Sequence, residues 1–327
     1  MTGPGPRIIV IGNHKGGSGK STLAMNMIVG LLKEGYRVAS FDLDLTQQTL
    51  THYIENRVES AHHRRLTLEV PNHCSIAAVA GNGRPLSDED QIQTFVRVLR
   101  EFQGSHDVIV IDTPGGDQHL SLLAHGMADI LLTPINDSFM DLDAIVKIGP
   151  SKGLVPSCYS QSVTIARQGR SSVSQQPIEW IVIRNRLLGG TPDEPQPVAE
   201  VLEREATRIG YRTAPGLSER WVFRALFPIG LTAFDTLEEA HFGVRPDPVH
   251  LLGRLEVRRL MEAVGLVHPE DAPRTAPDRA EPWPIEDVYG GRRRLNRTAS
   301  RPGQEEGREE MSGFARQVAE QFLFMAD

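Results

Sequence analysis

Residues Gly16, Gly17, Ser18, Gly19, Lys20, Ser21 and Thr22 form a run of small residues closed by a lysine and two hydroxyls. Without Cβ atoms in the way, consecutive backbone N–H groups can converge on an anion, and a helix opening at the lysine adds its positive end. In that arrangement Lys20 reaches the outer phosphates of a nucleotide, and the Ser21 hydroxyl coordinates Mg²⁺. The preceding residues are Asn13, His14 and Lys15. They put a second lysine inside the loop and a histidine where the usual pattern has a glycine. His14 is expected to offer only its backbone.

Two further stretches supply carboxylates. In Asp42-Leu43-Asp44, alternate residues of a strand end face the same way, so both acids project from one face. Asp42 suits a metal's shell. Asp44, farther out on the loop, suits the orientation of an attacking water. The run VIVIDTPGG ends its apolar stretch in Asp112, which would hold Mg²⁺ through a water. Beyond it, Thr113, Pro114, Gly115 and Gly116 form a loop whose glycine N–H groups can sense a γ-phosphate. Phosphoryl transfer asks mainly for positioning and charge neutralisation. Lysines, carboxylates and a metal supply both, so ATP and Mg²⁺ are the expected cofactors.

These residues need a scaffold that brings them to one edge. RIIVIGN, YRVASFDLD (Tyr36–Asp44), DVIVIDTPGG, ADILLTPIN and IEWIVIRNR are β-branched runs without polar alternation, the pattern of strands buried on both faces. Between and after them lie STLAMNMIVGLLKEG, DEDQIQTFVRVLREFQG, PVAEVLEREATRIG and HLLGRLEVRRLMEAVG, with apolar residues at helical spacing. Alternating strands and helices predict an α/β fold, a doubly wound, mostly parallel sheet with ligands at the carboxyl ends of its strands. The loop, the aspartate pair and DTPGG all fall there.

The chain has 327 residues, 39% hydrophobic and 24% charged, enough for one large core. No apolar run approaches the roughly 20 residues needed to span a bilayer, and the start lacks the regions of a signal peptide. Cys74 and Cys158 have no CxxC spacing, which predicts a reducing, cytoplasmic setting. The 11 histidines, His62 and His63 included, show no metal-ligand spacing. Net charge is −7 overall but +4 over residues 145–230, the one segment whose sign suits a phosphate backbone.

With these residues in place, KGGSGKST resembles the deviant phosphate loop of the ParA/MinD ATPases. In that family two subunits sandwich two ATP molecules, and the signature lysine crosses to the partner's phosphates. The resemblance implies that Lys15 acts in trans, so that Lys15, Lys20 and Asp44 make up the catalytic set. DLDLTQQT, IENR, IDTPGGD, AHGMADILLTPINDSFMDLDAI, WIVIRNRL and APGLSERWVFRALFPIGLTAFD resemble the MipZ branch over about residues 7–266. That branch implies a slow ATPase switch that positions the division plane. Its monomer binds ParB near the pole, while its ATP-bound homodimer associates with nucleoid DNA and blocks FtsZ assembly. Asn185 matches the family's adenine-recognising asparagine. The family's basic helix is here replaced by GGTPDEPQPVAEVLEREATRIG, leaving Arg204, Arg208, Arg220 and Arg224 as candidate DNA contacts. A ParA-type segregation ATPase is the alternative. An iron–sulfur reductase would need paired cysteines.

Composition changes after about Gly265. Residues 1–266 are expected to form the ATPase domain, and 267–308, rich in Pro, Arg and Glu, a disordered linker. In 309–327, Phe314, Val318 and Phe322 recur at four-residue spacing and predict a short amphipathic helix. Its acidic balance argues against a membrane anchor.

Overall fold

A computed structural model describes residues 5–76, 86–116, 119–149, 153–173, 177–188, 196–237 and 248–267. Val267, the first residue of the expected linker, is buried in the core; the rest of that linker and the expected C-terminal helix lie outside the described residues. Seven parallel strands form the main sheet in the order β3-β2-β4-β1-β5-β8-β9. They are β1 (Arg7–Ile11), β2 (Val38–Asp42), β3 (Asn72–Ser75), β4 (Val108–Asp112), β5 (Ile130–Asn136), β8 (Glu179–Asn185) and β9 (Arg212–Ala214). The short strands β6 (Val146–Ile148) and β7 (Leu154–Pro156) pair antiparallel in a separate hairpin.

Side-chain alternation divides the core between the two faces. Ile8 and Val10 of β1 join Phe41, Ile109, Ile111 and Trp180 on one face, and Ile9 and Ile11 join Val38, Val110, Leu132 and Ile183 on the other. The second face is covered by α1 (Lys20–Lys33) and α2 (Thr49–Arg64). The first is covered by α3 (Asp88–Gln103), α4 (His119–Met127), α6 (Cys158–Val173) and α7 (Pro197–Ile209), with α5 (Phe139–Leu142) a single turn after β5. The last two helices among the described residues are α8 (Val222–Ala225) and α9 (Pro248–Ala263), and α9 returns Val257, Leu260 and Met261 to the α1 side. Each such aliphatic side chain contributes about 1.5–3 kcal/mol when fully buried.

The expected doubly wound architecture is the observed one. The strand expected over Tyr36–Asp44 is shorter, Val38–Asp42, because Leu43 and Asp44 already turn into the loop. There the Asp44 carboxylate accepts the Thr46 and Gln47 N–H groups at 3.0 and 2.8 Å. The helices α2, α4, α5, α6 and α8 and the strands β3, β6, β7 and β9 have no counterpart among the expected elements. Among the described residues, no helix is long and apolar enough to cross a membrane.

Candidate functional site

Strand register builds the site. Ile11 pairs with Asp112, and Asp112 with Asp42, so three adjacent strands end on one row. The loop from Gly12 to Gly19 leaves that row between β1 and α1. Gly19 precedes α1 at φ 89°, and no side chain caps the helix. The first-turn N–H groups of α1 are therefore left to a ligand, the condition that makes a helix start an anion site.

The loop is held from behind. Asn13 donates from Nδ2 to the Pro134 carbonyl at 2.7 Å and accepts the Lys15 N–H at 3.0 Å. Tyr159 donates its hydroxyl to the Gly12 carbonyl at 2.8 Å. A Cβ on Gly12 would lie 2.4 Å from His125 Nε2, so the floor beneath the loop admits glycine alone. The His14 ring packs edge-on against Tyr159, with centroids 4.8 Å apart. It thus adds an aromatic contact that its sequence position does not disclose. The His14 carbonyl accepts the Gly116 N–H at 2.8 Å. A Cβ on Gly115 would come within 3.3 Å of Gly16 N, so the phosphate loop and the DTPGG loop lie in contact. Thr113 anchors the latter by donating its hydroxyl to the Ile11 carbonyl at 3.0 Å.

Lys20 is the first residue of α1 and is buried. Its ammonium donates to the Lys15 carbonyl at 3.1 Å. Burial pulls its pKa down, against the opposing charges of Asp112 and Asp44. Asp112 is buried as well, and burial followed by the charge of Asp42 holds its carboxyl above the ordinary range. The Ser21 hydroxyl donates to this carboxylate, while its Oδ1 has no hydrogen-bond partner among the described residues. Burial likewise raises Asp42, although its oxygens accept N–H groups from Asp44 and Thr51 at 2.9 Å each. An unsatisfied carboxylate oxygen beside a serine hydroxyl and a second carboxylate is a donor set that fits Mg²⁺. That ion is commonly bound by one or two carboxylates plus substrate phosphates. Among the described residues, no group of three or more His, Cys, Asp or Glu could hold a metal unaided, so the phosphates would have to complete the shell.

Lys15 does not extend freely. Its ammonium lies 3.4 Å from the Asp141 carboxylate and donates to the Met140 carbonyl, both on α5. Phe139 and Met140 beside it are 60% and 80% exposed. Asp141 is itself fixed by Ser138, whose hydroxyl accepts the Asp141 N–H at 3.1 Å and donates to its carboxylate at 2.9 Å.

On the other side of the loop opens a shallow cleft lined by Asn26, Asn185, Arg186, Leu217, Arg220 and Phe223 among others. Asn185 donates from Nδ2 to the Ser18 carbonyl at 2.8 Å and accepts the Arg186 N–H at 2.9 Å. One amide proton and one oxygen lone pair remain on this side chain, the complement of an adenine edge. The cleft residues Ser218 and Arg220 are held by Glu256 of α9, whose carboxylate accepts from the Ser218 N–H, the Ser218 hydroxyl and Arg220 at 3.1, 2.7 and 2.6 Å. Farther along the chain, Arg57 of α2 donates from its guanidinium to both oxygens of Asp235 at 2.8 and 2.7 Å and to the Gly230 carbonyl at 3.0 Å. Both ion-pair partners are buried.

The four arginines proposed for DNA do not share a face. Arg204 and Arg208 on α7 both reach Glu205, at 3.3 and 2.5 Å. Arg220 lines the cleft and pairs with Glu256 at 2.6 Å, and Arg224, also in the lining, pairs with Glu219 at 3.2 Å. Asp141, Arg57 and Asp235 were not anticipated. Their contacts join residues 126, 178 and 178 positions away, with no local pattern to announce them.

A parallel sheet with a glycine loop at its centre and acids at the ends of two neighbouring strands defines a P-loop nucleotide-binding protein of the ParA/MinD type. The chain belongs to the MipZ family: the model described as ATPase MipZ matches residues 7–268. Among curated relatives, the septum site-determining protein MinD of Helicobacter pylori is 27% identical over 162 residues, 44% of this chain and 59% of that protein. The chromosome partitioning protein ParA of Myxococcus xanthus is 26% identical over 230 residues, 59% of this chain and 80% of that protein. The MinD relatives are thus matched over only 59% and 60% of their length. In solved structures, the fold is shared with Cyanothece McdA in complex with ATP, at TM-score 0.52 and 16% identity over 81% of this chain and 98% of that one.

Proposed function

We propose that residues 1–266 form an ATPase that works as a dimerising switch and positions the division plane by inhibiting FtsZ assembly. It would cycle between a ParB-bound monomer and a nucleoid-associated ATP dimer, reset by slow hydrolysis. The observation that carries this reading is a second lysine, Lys15, at the mouth of a complete phosphate site within a chain of the MipZ family.

In this reading the N–H groups of Gly16 to Thr22 cradle the phosphates, and Lys20 neutralises the charge that grows on the transferred group. Asn185 and the cleft beside it take the adenine. Mg²⁺, when bound between Ser21 and Asp112 with Asp42 in support, would screen the phosphates. Asp44 orients the attacking water after giving up its turn contacts to Thr46 and Gln47. Thr113 to Gly116, already touching the loop at His14 and Gly16, respond to the γ-phosphate. Lys15 leaves Asp141 and crosses to the partner's ATP, so dimerisation and nucleotide state are read by one side chain.

The test is FtsZ polymerisation with ATP-loaded Asp44→Ala protein, at low and physiological salt. Suppression that needs ATP and disappears when Lys15→Ala is added to the same chain supports the division reading. An unaffected polymer, with the dimer verified by light scattering, transfers the switch to another cargo. Segregation of DNA is the first alternative, in keeping with the ParA relative.

A further inference from the structure

Behind Asp42 runs a chain of polar groups that phosphate binding does not require. Thr51, in the first turn of α2, donates its N–H and its hydroxyl to Asp42 Oδ2 at 2.9 and 3.0 Å. Its Oγ1 also lies 3.0 Å from His73 Nε2, and His73 Nδ1 lies 2.9 Å from Ser40 Oγ. Ser40 and His73 are register partners on β2 and β3, so sheet pairing itself delivers the imidazole to this spot.

A hydroxyl carries a single proton. Thr51 gives its proton to the carboxylate, so the His73 ring must donate from Nε2, which leaves Nδ1 to accept from Ser40. The imidazole is thereby fixed as one neutral tautomer, and burial, which drives its pKa down to about 3, keeps it neutral.

We propose that Thr51 and His73 are positioning residues: the Ser40–His73–Thr51 chain locks the Asp42 carboxylate in the rotamer that supports Mg²⁺ on ATP. Ligands of metals depend on such outer contacts for orientation, and losing one typically costs 10- to 100-fold in metal affinity. The same chain ties the start of α2, hence the end of the loop that carries Asp44, to the edge strand β3. The proposal rests on Asp42 belonging to the Mg²⁺ site.

The experiment uses the full chain and reads thermal stabilisation by ADP while Mg²⁺ is titrated, alongside the Mg²⁺ needed for half-maximal hydrolysis at fixed ATP. Thr51→Val keeps the side-chain shape and removes the donated proton, and His73→Leu removes the relay. Both are expected to raise the Mg²⁺ requirement about tenfold and to leave ADP affinity without Mg²⁺ unchanged. Thr51→Ser and His73→Gln, which retain a donor, are expected to recover most of it. A folded Thr51→Val protein with the wild-type Mg²⁺ requirement overturns the proposal, even if its Tm falls. Wild-type protein that binds ADP without any response to Mg²⁺ would remove the metal from Asp42, and the relay's role with it.

Discussion

Two glycines in the left-handed region with different neighbours provide a calibrated test of how the segment around Gly230 is seated on α2. Gly230 has φ 66° and Gly210 has φ 90°, so alanine at either site meets the left-handed penalty of about 1–2 kcal/mol. At Gly210 the new methyl would meet Arg167 Nη1 at 2.6 Å, the end of a long side chain that can swing away at the loss of its hydrogen bond to the Gly210 carbonyl. At Gly230 it would fall 2.0 Å from Arg57 N, 2.1 Å from Arg57 Cα and 2.5 Å from Asn56 C. These are backbone atoms inside α2, and they cannot yield. The segment has to lift, which separates Asp235 from Arg57, and stranding one partner of a buried ion pair costs about 3–5 kcal/mol. Gly210→Ala should therefore cost about 1.5–3.5 kcal/mol, and Gly230→Ala about 4–7 kcal/mol. At about 2–4 °C per kcal/mol for a domain of this size, Tm falls by about 3–14 °C in the first and by about 8–28 °C in the second. Denaturant titration and differential scanning calorimetry on both variants measure the gap. Equal losses would refute the close seating of the segment on α2.

Asp235 also makes an acid prediction. Burial alone would raise its pKa, but hydrogen bonds and charge from Arg57, with Thr232, outweigh that and leave it lowered. The stabilisation is therefore present above the unfolded aspartate value near ~3.9 and is lost as pH falls through the lower folded-state value. Asp235→Asn should flatten the acid limb of the stability profile and cost about 3–5 kcal/mol at neutral pH, as followed by circular dichroism. Asn185→Ala removes the hydrogen bond to Ser18 and the amide facing the cleft. It should weaken ATP about tenfold, on the order of one to two hydrogen bonds, and narrow the margin between ADP and GDP in calorimetric titrations. An unchanged margin would place base selection elsewhere.

The parts legible in the sequence were those coded by contiguous residues. β1, β4, β5 and β8 are buried on both faces, so Ile and Val runs mark them directly. The loop and its lysines sit within ten residues, and Asp112 ends an apolar run. α2 escaped notice because its exposed face carries Thr, His, Glu and Arg, and because it starts after Gln48 at φ 46° with no side-chain cap. β3 and β9 are edge strands of four and three residues built from Asn, His, Cys, Ser, Arg, Thr and Ala, too short and too polar for a periodic signal. His73, Asp141 and the Arg57–Asp235 clamp acquire their meaning only through sheet register and long-range packing, which no local spacing encodes.

The origin of the two halves of the nucleotide cleft has a consequence for the order in which the protein comes into being. The phosphate loop and all three candidate carboxylates lie within the first 112 residues, whereas the cleft residues between Leu217 and Arg224, and their fastening at Glu256, come more than 100 residues later. On the reading proposed above, a nascent chain that has emerged only as far as β5 already carries the residues assigned to the phosphates and lacks Asn185 and the cleft residues that follow it. On that reading, synthesis delivers the groups assigned to the phosphates before those assigned to the base, so base selection would be the later-completed half of the site.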